Sequence, residues 1–182
     1  MSVLNRRAVL GGTMAAFALP SALHAAPREV IDERVEKALQ ELFSSIPGTS
    51  DLYTRAQGTL IMPRITKAGF FAGGAYGEGA LRIGGATVDY YSMAAASFGF
   101  QFGAQRTAQA LFFVTEDALY RFRQIDGWEL GADAEVTLPT DGLNASLTTL
   151  TAQHPVISLT FDQSGILAGA SLEGAKYSLL RR

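Results

Sequence analysis

The chain has 182 residues, a formal net charge of −2, 48% hydrophobic residues and no cysteine. This length suits one domain, with or without a tail, and is sufficient for a full core. The absence of cysteine excludes disulfides, thiolate metal sites and a lipidated-cysteine anchor. The acidic balance gives no reason to expect a nucleic-acid partner, because such partners bind basic surfaces.

The first 25 residues have the pattern of an export signal. A short basic segment precedes an apolar run too short to span a bilayer, and small residues then lead to a cleavage site after Ala25. The pair Arg6-Arg7 before apolar residues favours the twin-arginine route, with an ordinary secretory signal as the alternative. We therefore expect an export signal at residues 1–25 and one domain at residues 26–182. The mature protein is expected to be soluble and periplasmic, and not a lipoprotein.

Residues 28–46 predict an amphipathic helix, since apolar side chains recur at helical spacing and acidic residues crowd the first turns. Pro47-Gly48 ends this helix, and a short second helix is expected to run to about Ala56. A short apolar strand follows at residues 58–62 and is predicted to end at Pro63.

Two glycine- and aromatic-rich runs form the centre of the sequence. Residues 67–81 and 90–103 alternate with a period of two, which predicts two strands joined by a turn at Gly84-Gly85. Glycine weakens a strand by roughly 0.5–1 kcal/mol relative to Ala. These glycines therefore indicate either sharp strand curvature or the close approach of another backbone or a ligand.

The rest of the chain adds one helix and several strands. Residues 108–114 are apolar throughout and predict a strand buried on both faces, after which Thr115 caps a helix over residues 116–124. Further strands are expected at residues 132–138, 155–161, 165–170 and 171–180. The predicted fold is α+β and mainly antiparallel β. Its sheet is curved or barrel-like, with an N-terminal amphipathic helix and one or two further short helices.

The usual chemical motifs are absent from the sequence. His154 is the one histidine after the signal, no serine lies in a nucleophile turn, and a lone histidine without cysteine cannot hold zinc. The acidic residues between 126 and 135 lack the spacing of a calcium loop. The glycine runs lack the dinucleotide and phosphate-loop patterns. We expect no catalytic residue, metal or cofactor, and no enzyme.

Charge is distributed unevenly along the chain. Residues 53–107 contain five basic and two acidic side chains, whereas acidic side chains predominate in the segments on either side. The glycine-aromatic centre is therefore the basic region of an acidic protein, which suggests a binding surface for anions.

Several spaced motifs resemble the SYLF-domain family, also called the Ysc-type or lipid-binding SYLF family. They cover about residues 35–180 and include Lys67-Ala68-Gly69-Phe70, Gly73-Gly74-x-Tyr76-Gly77-x-Gly79, Tyr90-Tyr91-Ser92, Gly99-x-Gln101-x-Gly103-x-Gln105 and Trp128-x-x-Gly131. The resemblance implies a β-rich domain that binds membrane lipid, with actin and phosphoinositides as partners in eukaryotic members. In eukaryotic members of the family, an N-terminal amphipathic helix contributes to membrane contact. The corresponding helix of this chain is acidic, which departs from that pattern because an acidic helix is unsuited to an anionic membrane.

We therefore expect an exported, non-enzymatic protein that binds anionic lipid or a membrane surface, with no nucleic-acid partner and unknown protein partners. The alternative is a periplasmic structural or protein-interaction module without a lipid ligand. The candidate lipid-binding residues are Arg64, Lys67, Arg82 and Arg106 for anionic headgroups, and Phe70, Tyr76, Tyr90 and Tyr91 for apolar contact.

Overall fold

A nine-stranded sheet with helices on both faces makes up the described part of the protein. The computed structural model describes residues 26–69, 72–98, 105–131, 136–137, 154–162, 165–166 and 174–181. Its helices are α1 (Arg28–Ser45), α2 (Thr49–Arg55) and α3 (Glu116–Gln124). Its strands are β1 (Gly58–Gly69), β2 (Ala72–Ile83), β3 (Ala86–Phe98), β4 (Gln105–Phe113), β5 (Trp128–Glu129), β6 (Val136–Thr137), β7 (Val156–Asp162), β8 (Gly165–Ile166) and β9 (Lys176–Leu179).

The strands follow the order β5-β9-β3-β2-β1-β4-β7-β6, and β8 pairs with β7. Every strand pair is antiparallel except β6 with β7, which is parallel. The predicted fold class, α+β with a mainly antiparallel sheet, is confirmed. So are the N-terminal helix and the turn at Gly84-Gly85, where both glycines have positive φ.

A buried polar contact shows how strongly the sheet curls. Tyr177 in β9 donates a hydrogen bond of 2.6 Å to Oε1 of Gln109 in β4, although three strands separate β9 from β4. In a flat sheet these strands would lie about 19 Å apart, at about 4.8 Å per strand. Gln109 in turn donates from Nε2 to Ser158 Oγ at 3.0 Å. The sheet therefore curls so strongly that side chains of β9 and β4 meet across its inner face, which agrees with the predicted curvature.

The inner face is filled by an aromatic cluster. The ring of Phe122 in α3 lies 4.7 Å from Tyr91, 4.6 Å from Phe113 and 5.3 Å from Trp128, measured between centroids. Tyr177 joins the cluster at 5.7 Å from Trp128. All five side chains are buried, so this inner core fixes α3 against the sheet.

The outer face is covered by α1 and α2. The buried stripe of α1, which includes Ile31, Val35 and Leu42, packs with Ile61 and Phe112 from the sheet. This outer core accounts for the apolar spacing in the sequence of α1, because a helix on a sheet buries one stripe. The first half of β1 and the described side chains of β4 are therefore buried on both faces, as the continuous apolar run of β4 predicted.

The predicted end of the first strand at Pro63 is wrong. Strand β1 continues to Gly69, because a bulge between Ile61 and Arg64 accommodates the proline. Ile61 pairs with Ala80 and Arg64 with Glu78, so that Met62 and Pro63 together face the single residue Gly79. A bulge removes ladder hydrogen bonds locally, and proline is tolerated there because it has no N–H to donate.

The prediction of one strand over residues 67–81 is also wrong. The chain reverses within this run, with Gly69 of β1 opposite Gly73 of β2. The period-two pattern of residues 67–81 continues across the position where the chain reverses, so this pattern alone does not reveal the reversal. Of the predicted strands at residues 165–170 and 171–180, the described residues include β8 and β9, and residues 167–173 lie outside the described part.

Candidate functional site

A groove of about 730 Å³ lies between α1 and the adjoining ends of β1, β2 and β3. We call it the α1 groove. Its lining residues are Ile31, Arg34, Arg64, Thr66, Gly74, Ala75, Tyr76, Gly77, Glu78, Ala94 and Ala95.

Small residues leave this space open. Gly74 pairs with Ala96 and Ala75 with Ala95, so glycine and alanine face each other on neighbouring strands. Among the described atoms, a Cβ added at Gly74 would have one neighbour within 4 Å, the Ala95 carbonyl oxygen at 3.8 Å. The described floor of the α1 groove is therefore apolar and open at Gly74.

Two arginines border the groove from opposite layers. Arg34 comes from α1 and Arg64 from β1, and both are exposed. Within the described part of the chain, neither forms an ion pair. Both guanidinium groups are therefore available to an anionic ligand, which arginine holds well through its planar set of donors.

The β1 bulge determines where Arg64 points. Leu60 and Met62 belong to the inner core, and strict alternation would send residue 64 to the same face. The extra residue in the bulge shifts the alternation of side chains by one position. Ile65 therefore joins the inner core, and Arg64 faces the groove. The bulge therefore keeps a charged side chain out of the core and brings it to the candidate site.

Glu78 is the one acidic side chain among the described residues that line the groove. Its Oε1 accepts a hydrogen bond of 2.9 Å from the Tyr76 hydroxyl, and its Oε2 accepts one of 3.0 Å from the backbone nitrogen of Ala26. These contacts occupy the carboxylate and fix Tyr76, which is 37% exposed, at the border of the groove.

Acidic residues of α1 are used to attach the helix to the sheet. Asp32 accepts hydrogen bonds from Thr87 at 2.9 Å and from Tyr90 at 2.7 Å. Glu36, one turn further along, pairs with Arg82 at 2.6 Å. These contacts offset part of the negative charge that made α1 look unsuited to anionic membranes, and they leave Arg34 free to line the groove.

The structure therefore separates the predicted site residues. Arg64 and Tyr76 meet in the α1 groove. Arg82 instead pairs with Glu36 and donates to the Gly85 carbonyl. Tyr90 is half-buried against Asp32, and burial followed by that hydrogen bond raises its pKa. Tyr91 is 3% exposed within the inner core, so it stabilises the fold instead of facing a ligand.

Three predicted residues lie partly or wholly outside the described part. Phe70 is outside it. Lys67 and Arg106 are described through their backbones alone. Arg106 pairs with Thr66, and Lys67 follows Thr66 in β1, which places both next to a residue that lines the α1 groove. The sequence did not single out Arg34, because this residue lies among the acidic residues of α1.

Buried tyrosines predict a loss of stability at alkaline pH. Burial raises the pKa of Tyr91 from 10.0 to about 12. Between these values the unfolded chain releases the phenolic proton and the folded chain retains it, so stability falls as pH rises from about 10 to 12. Thermal melts should show this decline, and the contribution of Tyr91 to the loss of stability should be on the order of 2–3 kcal/mol. The Tyr91→Phe variant should decline less, and an identical decline would contradict the assignment to Tyr91.

A second groove, of about 770 Å³, lies between α3 and the nearby ends of β3 and β9. Its lining combines Tyr120 and Leu179 with the acidic residues Glu116, Asp117 and Asp89. Arg123 in this lining pairs with Asp89 at 3.0 Å. The acidic residues exceed the basic ones, so this groove is unsuited to an anion and the α1 groove is the stronger candidate.

Two other kinds of feature are absent from the described residues. Within the described ranges, no group of three or more His, Asp or Glu side chains is placed to hold a metal ion. No described helix has both the length and the apolar content needed to cross a membrane.

Comparison with known proteins identifies the C-terminal half. Residues 94–180 match the family model Ysc84, described as "Las17-binding protein actin regulator". A search of curated proteins gave no significant match. The matched region begins within β3 and extends beyond β9, and the preceding strands β1 and β2 belong to the same sheet. The resemblance to the SYLF, or Ysc84, family is thus confirmed over residues 94–180, and the motifs between residues 67 and 92 lie outside the match.

Proposed function

We propose that this chain is an exported, non-enzymatic protein that binds anionic membrane lipid in the α1 groove. In this proposal, residues 1–25 direct export and are removed, and the mature protein is soluble in the periplasm. The headgroup lies between Arg34 and Arg64, and the apolar part of the lipid contacts the glycine-alanine floor. The SYLF identity of residues 94–180 is consistent with a binding protein but does not specify the ligand.

The observation that carries the proposal is the pairing of two available cations with an unfilled apolar floor. Arg34 and Arg64 come from different layers of the fold, so their position at one groove depends on the folded structure. A phosphate-bearing lipid presents the matching combination of an anion and an apolar chain.

A charge-neutral variant tests the groove. We expect mature protein to float with vesicles of phosphatidylcholine mixed with phosphatidylglycerol at low salt, and not with phosphatidylcholine alone. Replacing both Arg34 and Arg64 with Gln should weaken binding by about 2 kcal/mol, roughly 30-fold, because each basic residue near an anionic surface contributes about 1 kcal/mol.

The matched control replaces Arg55 and Arg181 with Gln. Both are exposed and neither lines the α1 groove, so this variant has the same net charge as the first. We expect it to bind anionic vesicles nearly as well as the unmodified protein. Equal losses in the two variants would show that binding follows net charge and would contradict a groove site. Absence of any vesicle binding would favour the alternative, a protein-interaction module without a lipid ligand.

A further inference from the structure

The start of the mature chain lies against a carboxylate. The nitrogen of Ala26 is 3.0 Å from Glu78 Oε2, and both residues are half-buried. Ala26 also packs against the outer core. The carbonyl of Pro27 then accepts hydrogen bonds from the amides of Val30 and Ile31, which begins α1. Ala26 is thus held in place by contacts on both sides.

The chemistry of this contact depends on processing. In the full-length chain the Ala26 nitrogen is an amide and offers one neutral donor to Glu78. Hydrolysis of the Ala25–Ala26 peptide bond by a signal-cleaving peptidase consumes one water and yields a carboxylate on Ala25 and an ammonium on Ala26. The ammonium has three donors and a positive charge, and charge-assisted hydrogen bonds are roughly twice as strong as neutral ones.

We propose that Glu78 is the binding site for the N-terminal ammonium that cleavage after Ala25 creates. This inference rests on the proposed function, because it assumes that residues 1–25 are removed as an export signal. The hydroxyl of Tyr76 holds the other carboxylate oxygen at 2.9 Å, so Glu78 is oriented towards Ala26 by a second residue.

Cleavage would also change the charge of the α1 groove. Among the described residues that line the groove, Glu78 is acidic and Arg34 and Arg64 are basic. The new ammonium adds one positive charge beside Glu78, at the same groove as both arginines. The mature chain should therefore bind an anionic ligand more tightly than a chain whose first nitrogen is an amide.

The test compares one protein with and without a charge on its α-amine. Residues 26–182 are prepared with a free amine or with that amine acetylated, each as the unmodified sequence and as the Glu78→Gln variant. The free-amine form should melt about 2–4 °C above the acetylated form at neutral pH, as expected for a difference of about 1 kcal/mol. The advantage should fade as pH rises above about 8, where an α-ammonium loses its proton.

The Glu78→Gln variant decides the assignment. Gln has the same shape as Glu without the charge, so acetylation should then change the melting temperature little. An acetylation effect of equal size in both sequences would overturn the proposal, since the ammonium would then act elsewhere. N-terminal sequencing of exported protein that showed a start other than Ala26 would also overturn it.

Measuring vesicle binding by the same proteins distinguishes this proposal from the lipid proposal. With phosphatidylglycerol vesicles, the free-amine form should bind several-fold more tightly than the acetylated form. If the melting temperatures of the four proteins differ as expected and no form binds vesicles, the ammonium site is supported and the lipid proposal is wrong. If vesicles bind and acetylation changes neither melting nor binding, the groove site stands and the ammonium site fails.

Discussion

Phe122→Ala should lower the free energy of unfolding by about 3–5 kcal/mol, the usual cost of removing a buried phenyl ring. Phe122 is 1% exposed and lies at the centre of the inner core, within 5.3 Å of the rings of Tyr91, Phe113 and Trp128. It is also the main residue that attaches α3 to the sheet. Its removal would therefore leave a cavity and break several aromatic contacts at once. Urea denaturation followed by tryptophan fluorescence measures the loss, because Trp128 is itself part of the cluster.

Tyr120→Ala is the matched control for this prediction. Tyr120 lies in the same helix, two residues away, but its side chain is 64% exposed. Both variants place Ala in α3, so they differ in burial and not in the helix propensity of the new residue. The control should change stability by less than about 0.5 kcal/mol. If Phe122→Ala fails to fold, Phe122→Leu should still fold with a smaller loss. Equal effects of Phe122→Ala and Tyr120→Ala would contradict the described core.

The sequence predicted those parts of the fold that depend on local periodicity. The stripe of α1, the Thr115 cap of α3 and the continuous apolar run of β4 each appear in the structure, and the cap hydrogen bond to the Ala118 amide is 3.2 Å. These features depend on neighbours within one or two turns. The curvature also followed from the density of glycine, although its extent depends on contacts such as Tyr177 with Gln109, which no local pattern encodes.

The errors occurred where long-range pairing overrides a local rule. Proline normally ends a strand, but the β1 bulge gives Pro63 a position without a ladder hydrogen bond. The reversal after Gly69 was hidden because glycine fits a strand, a turn or a bulge. The inner location of Tyr91 could not be distinguished from the position of Tyr90 by composition, since the two neighbouring tyrosines point to opposite faces of β3.

The sequence predicted the candidate site only in part, because the rest of the site depends on long-range contacts. Charge density along the chain identified Arg64, because that property can be read without coordinates. It could not show that Arg82 would be paired with Glu36 or that Arg34 would reach the same groove from the helix above. Both facts depend on how α1 lies across the sheet, and that placement is determined by contacts between residues about 45 to 60 positions apart.

Gly79→Ala should destabilise the protein by about 3 kcal/mol, at the upper end of the cost of overpacking a core. A Cβ at Gly79 would lie 2.0 Å from the Ile61 carbonyl oxygen and 2.6 Å from the Met62 sulfur. The oxygen belongs to the backbone of the bulge, so it cannot move aside as a flexible side chain could. The substitution should therefore distort the bulge, which is also the feature that turns Arg64 towards the groove.

A graded series along β2 provides the controls. At Gly77 the nearest atom to an added Cβ is the Arg64 carbonyl oxygen at 2.9 Å, and at Gly74 it is the Ala95 carbonyl oxygen at 3.8 Å. Stability measured by urea denaturation should thus fall most for Gly79→Ala, less for Gly77→Ala and little for Gly74→Ala, which reduces the entropy of the unfolded chain without a clash. Gly79→Ala should also weaken anionic-vesicle binding, since the bulge orients Arg64. If Gly79→Ala is as stable as Gly74→Ala, the bulge does not press on Gly79, and its role in turning Arg64 outward is wrong.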